Sequence, residues 1–257
     1  MLNLKEQIFG EKGHSLDLQL DADELSAFRA LIGQHWMSVL TGSHPELAEE
    51  AASLGLENYH LISKKVDHKR LWPKSARVLP LQCVRQLKSL PFFETLRDEF
   101  GAFTISDVYD THQHYGQEEI YWRLVRPNVE SDVGVLHTDK WFHKSFNMGS
   151  GMFPPGTPTV KLWIPIYCEP GKNGLAIVDG SHLKDWRFHV EDIEGFPKPV
   201  PDDDLSDVGE RLVHADAGNV IVFHENMLHG GVVNQGTRTR VSAEITLVLS
   251  SDNGAAT

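Results

Sequence analysis

Cysteine is scarce. There are two in 257 residues, Cys83 and Cys168, and they form no CxxC pair. That excludes a disulfide framework and a thiolate-rich metal site, and leads to the expectation of two buried thiols in a reducing cytoplasm. Long apolar runs are lacking too. Nothing approaches the roughly 18 apolar residues of a membrane span. Met1 to Gln7 bring lysine and glutamate early, where an export signal would carry an apolar core. Positive charge is in deficit, with 24 Lys and Arg against 36 Asp and Glu, a formal net charge of −12. So acidic a chain is poorly suited to wrapping a polyphosphate backbone, and no nucleic-acid partner is expected. Ser/Gly linkers and internal repeats are also absent, which leads to the expectation of one domain over 1–257.

What is present changes character near residue 103. Residues 1–102 read as helices. Asp21 or Asp23 can cap a helix whose apolar period runs through Leu25, Phe28, Leu31, Ile32 and Trp36. Pro45 and Gly55 bracket a second, Pro91 divides two more, and Gly101 closes the last. Over 103–250 the runs become short and β-rich, including TVKLWIPIY, NVIVFHE and RVSAEITLVL, with Pro and Gly punctuating them. The expectation is a mainly β sandwich or barrel with flanking helices. Segments 140–158 and 182–211 exceed ordinary hairpin connections and read as functional or mobile loops, above all the proline-rich stretch Glu194 to Asp207.

Fourteen histidines are many for this length. His137 and Asp139 stand two apart behind an apolar run, and on a strand they would share a face. Such pairs arise often by chance. Two histidines and one carboxylate on one side of an ion form the set used by non-haem Fe(II) oxygenases. A third ligand is available downstream in His229, followed by Gly230 and Gly231, or in His224 at the end of an apolar strand. Beyond them Arg240 and Ser242 share one strand face, a bidentate seat for a carboxylate, and Arg238 has the same parity nearer the turn. Lys64, Lys65, Lys69, Arg70, Lys74 and Arg77 concentrate positive charge in one stretch, either a solvated face or a grip on an anion.

In order, His137-Thr138-Asp139, Trp163 to Ile166, Asn173-Gly174, Gly180-Ser181-His182, His229 and Arg240-Val241-Ser242 resemble the phytanoyl-CoA dioxygenase-like family of Fe(II)/2-oxoglutarate oxygenases, across roughly residues 120–250. The resemblance implies a double-stranded β-helix, or jelly roll. It implies Fe(II) held by His137, Asp139 and His229, and 2-oxoglutarate seated by Arg240 with Ser242, with O2 as co-reactant. It implies hydroxylation of an unactivated C–H bond, and the presence of Asp139 favours this over the halogenation of relatives that replace that carboxylate. In resembling enzymes the strand holding Tyr121 and Arg123 lines the pocket. Trp163 stands beside the cosubstrate or in ordinary core, and Lys161, of the same parity, can face an anion. The segment carrying Lys140, Trp141, His143 and Lys144 follows the metal pair and is expected to shape substrate choice. The basic residues point to a small, polar, anionic substrate: a sugar acid, a sugar nucleotide or another carboxylate. Two alternatives stay open from the residues alone, a cupin-type metal enzyme that does not use 2-oxoglutarate and a non-catalytic jelly-roll binding protein.

Overall fold

The computed structural model describes residues 3–106, 118–145, 157–193 and 196–250. Helices dominate the first part: α1 (Leu4–Phe9), α2 (Ala22–Ser43), α3 (Ala48–Leu54), α4 (His68–Leu71), α5 (Leu81–Lys88) and α6 (Pro91–Phe100). In α2, Asp21 accepts from the Glu24 backbone N–H while Glu24 returns a bond to the Asp21 N–H, a reciprocal cap. The other oxygen of Glu24 accepts from the Phe92 N–H at 2.6 Å. That N–H is one of the donors left over at the start of α6, so one buried carboxylate caps two helices. Phe28, Ile32, Trp36 and Leu40 recur at four-residue intervals and form the buried face of α2.

The strands are β1 (His14–Gln19), β2 (Phe103–Ser106), β3 (Tyr121–Val125), β4 (Thr159–Tyr167), β5 (Leu175–Ile177), β6 (Phe188–Ile193), β7 (Phe196–Pro201), β8 (Arg211–Leu212), β9 (Asn219–His224), β10 (His229–Gly231) and β11 (Arg240–Leu249). The large sheet runs β1-β9-β4-β11-β2, and β3 pairs with β11 beside the lower half of that strand. A second sheet, β10-β5-β8, faces it, giving the jelly roll.

Alternation assigns the faces. Trp122 and Leu124, Leu162 and Ile164, Val220 and Val222, and Val241, Ala243, Ile245 and Leu247 lie in one core with the helices. The opposite parity points between the sheets. There Trp163, Ile221 and Phe223 pack with Leu175, Ile177 and Met227. That inner parity also holds Arg123, Lys161, Arg240, Ser242, Glu244 and Thr246, so the interior of the roll is part apolar and part polar. Arg29 ties α2 to β4, its Nε donating to the Ile166 carbonyl at 3.1 Å.

Two loop expectations are corrected. Segment 140–158 begins as a helix, α7 (Asp139–Ser145); residues 146–156 lie outside the described residues. Segment 182–211 contains the hairpin β6-β7. Pro197, Pro199 and Pro201 occupy alternate positions of β7, so their missing N–H groups all fall on one edge, where a two-stranded sheet has no partner to lose. Both cysteines are free thiols; Cys83 is buried, whereas Cys168 is only half-buried, and burial pushes its thiol up to about 11.

Candidate metal and cosubstrate centre

His137 and His229 pair antiparallel as an isolated bridge: each backbone N–H donates to the other's carbonyl, at 3.0 and 2.9 Å. This sets the imidazoles side by side, with ring centroids 4.5 Å apart. Each Nδ1 faces a carbonyl oxygen, of Val135 at 2.8 Å and of Met227 at 2.9 Å. A carbonyl only accepts, so each Nδ1 carries the proton and each Nε2 presents its lone pair. Burial, then the neighbouring His229, push His137 down to about 4, so it is a neutral imidazole at physiological pH.

Asp139 completes the group. It is not on a strand, as its spacing from His137 suggested; the chain turns at the buried Thr138 and Asp139 opens α7. Its Oδ2 lies 3.6 Å from His229 Nε2 and 3.5 Å from Lys161 Nζ. Ligand atoms of His137, Asp139 and His229 lie within 4.8 Å of one another, the one such group among the described residues. Two nitrogens and a carboxylate oxygen suit a divalent first-row metal. His224 stays apart. Its Nδ1 accepts from the Asn226 N–H, its ring sits 5.1 Å from that of His182, and burial pushes it down to about 4.

Arg240 is 1 % exposed. Its Nη1 donates to the Gly174 carbonyl at 3.1 Å, while Nε and Nη2, and the Oγ of the fully buried Ser242, have no hydrogen-bond partner among the described residues. Burial, then the charge of Arg123, push Arg240 down to about 10. A buried guanidinium with unsatisfied donors is costly unless an anion joins it. Trp163 backs it, its ring 5.3 Å from the guanidinium carbon. Arg238 is instead exposed, with Nη1 toward Glu57 at 3.5 Å.

The remaining expected residues divide. Arg123 lies opposite Ser242 on the paired strands and donates from Nε to Glu244 at 3.1 Å. Tyr121 is buried beneath cations, with Arg77 4.9 Å and Arg123 5.8 Å from its ring. Lys161 donates to Thr246 Oγ1 at 2.6 Å. Trp141 points away from the centre into a small core with Val178, Trp186 and Leu228, and stacks on Phe188 at 5.5 Å. The Lys140 N–H donates to the Glu225 carbonyl, and its charge acts on His224. The side chains of His143 and Lys144 lie outside the described residues. Glu244 and Thr246 escaped the sequence reading although they continue the Arg240–Ser242 alternation, and that parity was signal enough to find them.

A three-ligand cluster leaves part of a bound ion's surroundings to other ligands, as oxygen activation at non-haem iron requires, and an uncompensated arginine beside it suits a dianionic cosubstrate. Those needs define the Fe(II)/2-oxoglutarate oxygenases. The chain matches the phytanoyl-CoA dioxygenase (PhyH) family over residues 16–242 and belongs to it. It is accordingly a non-haem dioxygenase dependent on Fe(II), 2-oxoglutarate and O2. No curated protein matches it. Among solved structures it is similar to EctD from S. alaskensis, with 2-oxoglutarate and 5-hydroxyectoine (15 % identity, 98 % of this chain and 77 % of that one, TM-score 0.60). It is also similar to the non-heme monooxygenase ThoJ (14 %, 96 % and 77 %, TM-score 0.57) and to the alpha-ketoglutarate-dependent carbocyclase SnoK from nogalamycin biosynthesis (17 %, 96 % and 83 %, TM-score 0.53). At these identities the likeness concerns the fold. Among the described residues no helix is long and apolar enough to cross a membrane.

Proposed function

We infer that the chain hydroxylates an unactivated C–H bond of a small, polar, anionic metabolite, acting as one catalytic unit, and that the cytoplasm suits its free thiols. The observation that carries the reading is Arg240, a buried cation with two donor nitrogens unpartnered among the described residues, its Nη2 against Gly231 on the short strand that begins with His229 of the His/Asp/His cluster. His137, Asp139 and His229 would hold Fe(II). Arg240 and Ser242 would take the distal carboxylate of 2-oxoglutarate, satisfying donors that are otherwise orphaned. When bound, the ion and cosubstrate together supply the oxidising power for oxygen insertion.

The chain's own groups do the positioning. The backbone carbonyls of Val135 and Met227 fix both imidazole tautomers, and Lys161 stands beside the Asp139 carboxylate. Trp163 and Phe223 wall the centre against water, Phe223 lying 4.7 Å from the His229 ring. The test is anaerobic titration of the Fe(II)-loaded protein with 2-oxoglutarate, followed by the visible charge-transfer band of the chelate. A saturable band, lost in His229→Ala and weakened in Arg240→Ala, is expected. Bound iron without a band would move the enzyme to a metal-dependent class that does not use 2-oxoglutarate.

A further inference from the structure

The basic run of the helical part is not one face. Lys65 is paired with Glu50 at 2.6 Å and does not line the cavity described next. Lys69 and Arg77 instead line a cavity of about 310 Å3, together with Arg123, Lys198 from the β6-β7 hairpin, His68 and Gly134. That volume suits a metabolite. Arg77 donates from Nε to the Trp72 carbonyl at 3.1 Å and lies over the Tyr121 ring, which fixes its guanidinium at the wall. The one carboxylate among the described lining residues, Asp132, is neutralised from behind by a bidentate Arg126, at 2.9 and 2.7 Å. His68 is neutral, its Nδ1 accepting from the Tyr59 hydroxyl, which itself accepts from Trp72 Nε1. Lysine and arginine therefore set the sign of the space, in a chain whose net charge is −12. A cleft lined mostly by one sign of charge concentrates ions of the other. Two lining residues are close in the fold to residues of the candidate metal and cosubstrate centre. Gly134 leads into His137, and Arg123 is the cross-strand partner of Ser242.

We propose that this cavity reads the substrate: Lys69, Arg77 and Lys198 seat its oxyanion end, a carboxylate or a phosphate monoester, and Arg123 forms the inner wall from which the rest of the molecule extends toward His137. The proposal rests on the oxygenase reading and adds the pocket and residues that select the substrate. Lys198 arrives from a hairpin more than a hundred residues beyond Arg77, so the site forms only in the folded chain.

The experiment is calorimetric titration of the Fe(II)- and 2-oxoglutarate-loaded protein, held anaerobic at low salt, with inorganic phosphate and separately with acetate. Saturable binding of at least one anion is expected, and the tighter of the two identifies the kind of oxyanion. Arg77→Gln should weaken it about tenfold or more, as loss of a charged hydrogen bond does. Lys198→Glu, at an exposed position of the hairpin, should weaken it several-fold or more. Lys65→Glu should leave it unchanged. Binding of neither anion, or binding that Lys198→Glu leaves intact, overturns the proposal. The 2-oxoglutarate band in the same samples separates the two readings. A normal band with no variant-sensitive anion binding removes the pocket and leaves the oxygenase. Variant-sensitive binding without a band leaves the anion pocket and removes the oxygenase.

Discussion

His137 and His229 are held together by their backbones, each donating its N–H to the other's carbonyl, so their pairing does not depend on their side chains. The proposed metal site therefore rests on a backbone bridge that loss of either imidazole should leave intact. His137→Ala and His229→Ala should each reduce bound Fe(II) to background, measured by metal analysis after desalting, while the melting temperature of the metal-free protein stays within a few degrees of wild type. A collapse of the metal-free fold in either variant would show that the rings carry structure.

Arg240 gives a sharper separation of roles. Arg240→Met keeps the side chain's bulk and removes a buried charge with no carboxylate hydrogen-bonded to it among the described residues. In the absence of 2-oxoglutarate the variant should be as stable as wild type or more so, since replacing buried ions by apolar groups is often neutral or stabilising. Its 2-oxoglutarate affinity should fall about 10- to 100-fold. Thermal melts with and without cosubstrate read both effects; a destabilised cosubstrate-free variant would count against the assignment.

Acid should weaken the fold through His68. Burial, then Arg126, push it down to about 4 against an ordinary 6.5, while Asp132 and Asp67 pull the other way and Arg77 adds to the lowering. Below pH 6.5 the unfolded chain takes up a proton that the folded chain refuses, so stability falls as pH drops from about 6.5 to about 4 and then levels off. A shift of this size amounts to on the order of 3 kcal/mol for a group so largely buried. Urea midpoints measured across that range should fall less steeply in His68→Gln than in wild type.

Asn234, which is fully buried, received no notice in the sequence, yet it joins three segments. Its Nδ2 donates to the carbonyls of Val125 and Arg238, and its Oδ1 accepts from Asn173 Nδ2 and the Gly236 N–H. These bonds bring the end of β3 to the start of β11, where Arg240 begins. Asn234→Ala should cost about 3 kcal/mol or more, because several buried groups lose partners at once. Chemical denaturation measures it; a change below about 1 kcal/mol would mean that water replaces the amide.

The sequence was most readable where periodicity and chemistry coincided. The inner parity of β11 placed Arg240 and Ser242 together, and the structure keeps them on that face. Asp21, Pro91 and Gly101 punctuated helices as their backbone preferences require. What escaped depended on contacts distant in the chain. Trp141 was read with a loop over the metal, but two helical residues after Asp139 is roughly 200° around the axis, so it faces the other way. The β6-β7 hairpin was hidden by prolines that ordinarily mark loops, since nothing local says that one strand edge will lack a partner. The split of the basic run into Lys65 on one side and Arg77 on the other required knowing where Glu50 and Lys198 would fall.

The stack of Trp141 on Phe188 makes α7 a lever with two loads. One face of this short helix carries Asp139, the proposed metal ligand, and the other packs against the hairpin whose Lys198 lines the cavity. Equilibria joined in this way are reciprocal. To the extent that an anion drawn onto Lys198 steadies the hairpin and, through it, Asp139, the metal steadies the hairpin for the anion by the same factor. Metal retention and anion capture, as proposed above, would then be two readings of one balance, joined by the Trp141–Phe188 pair.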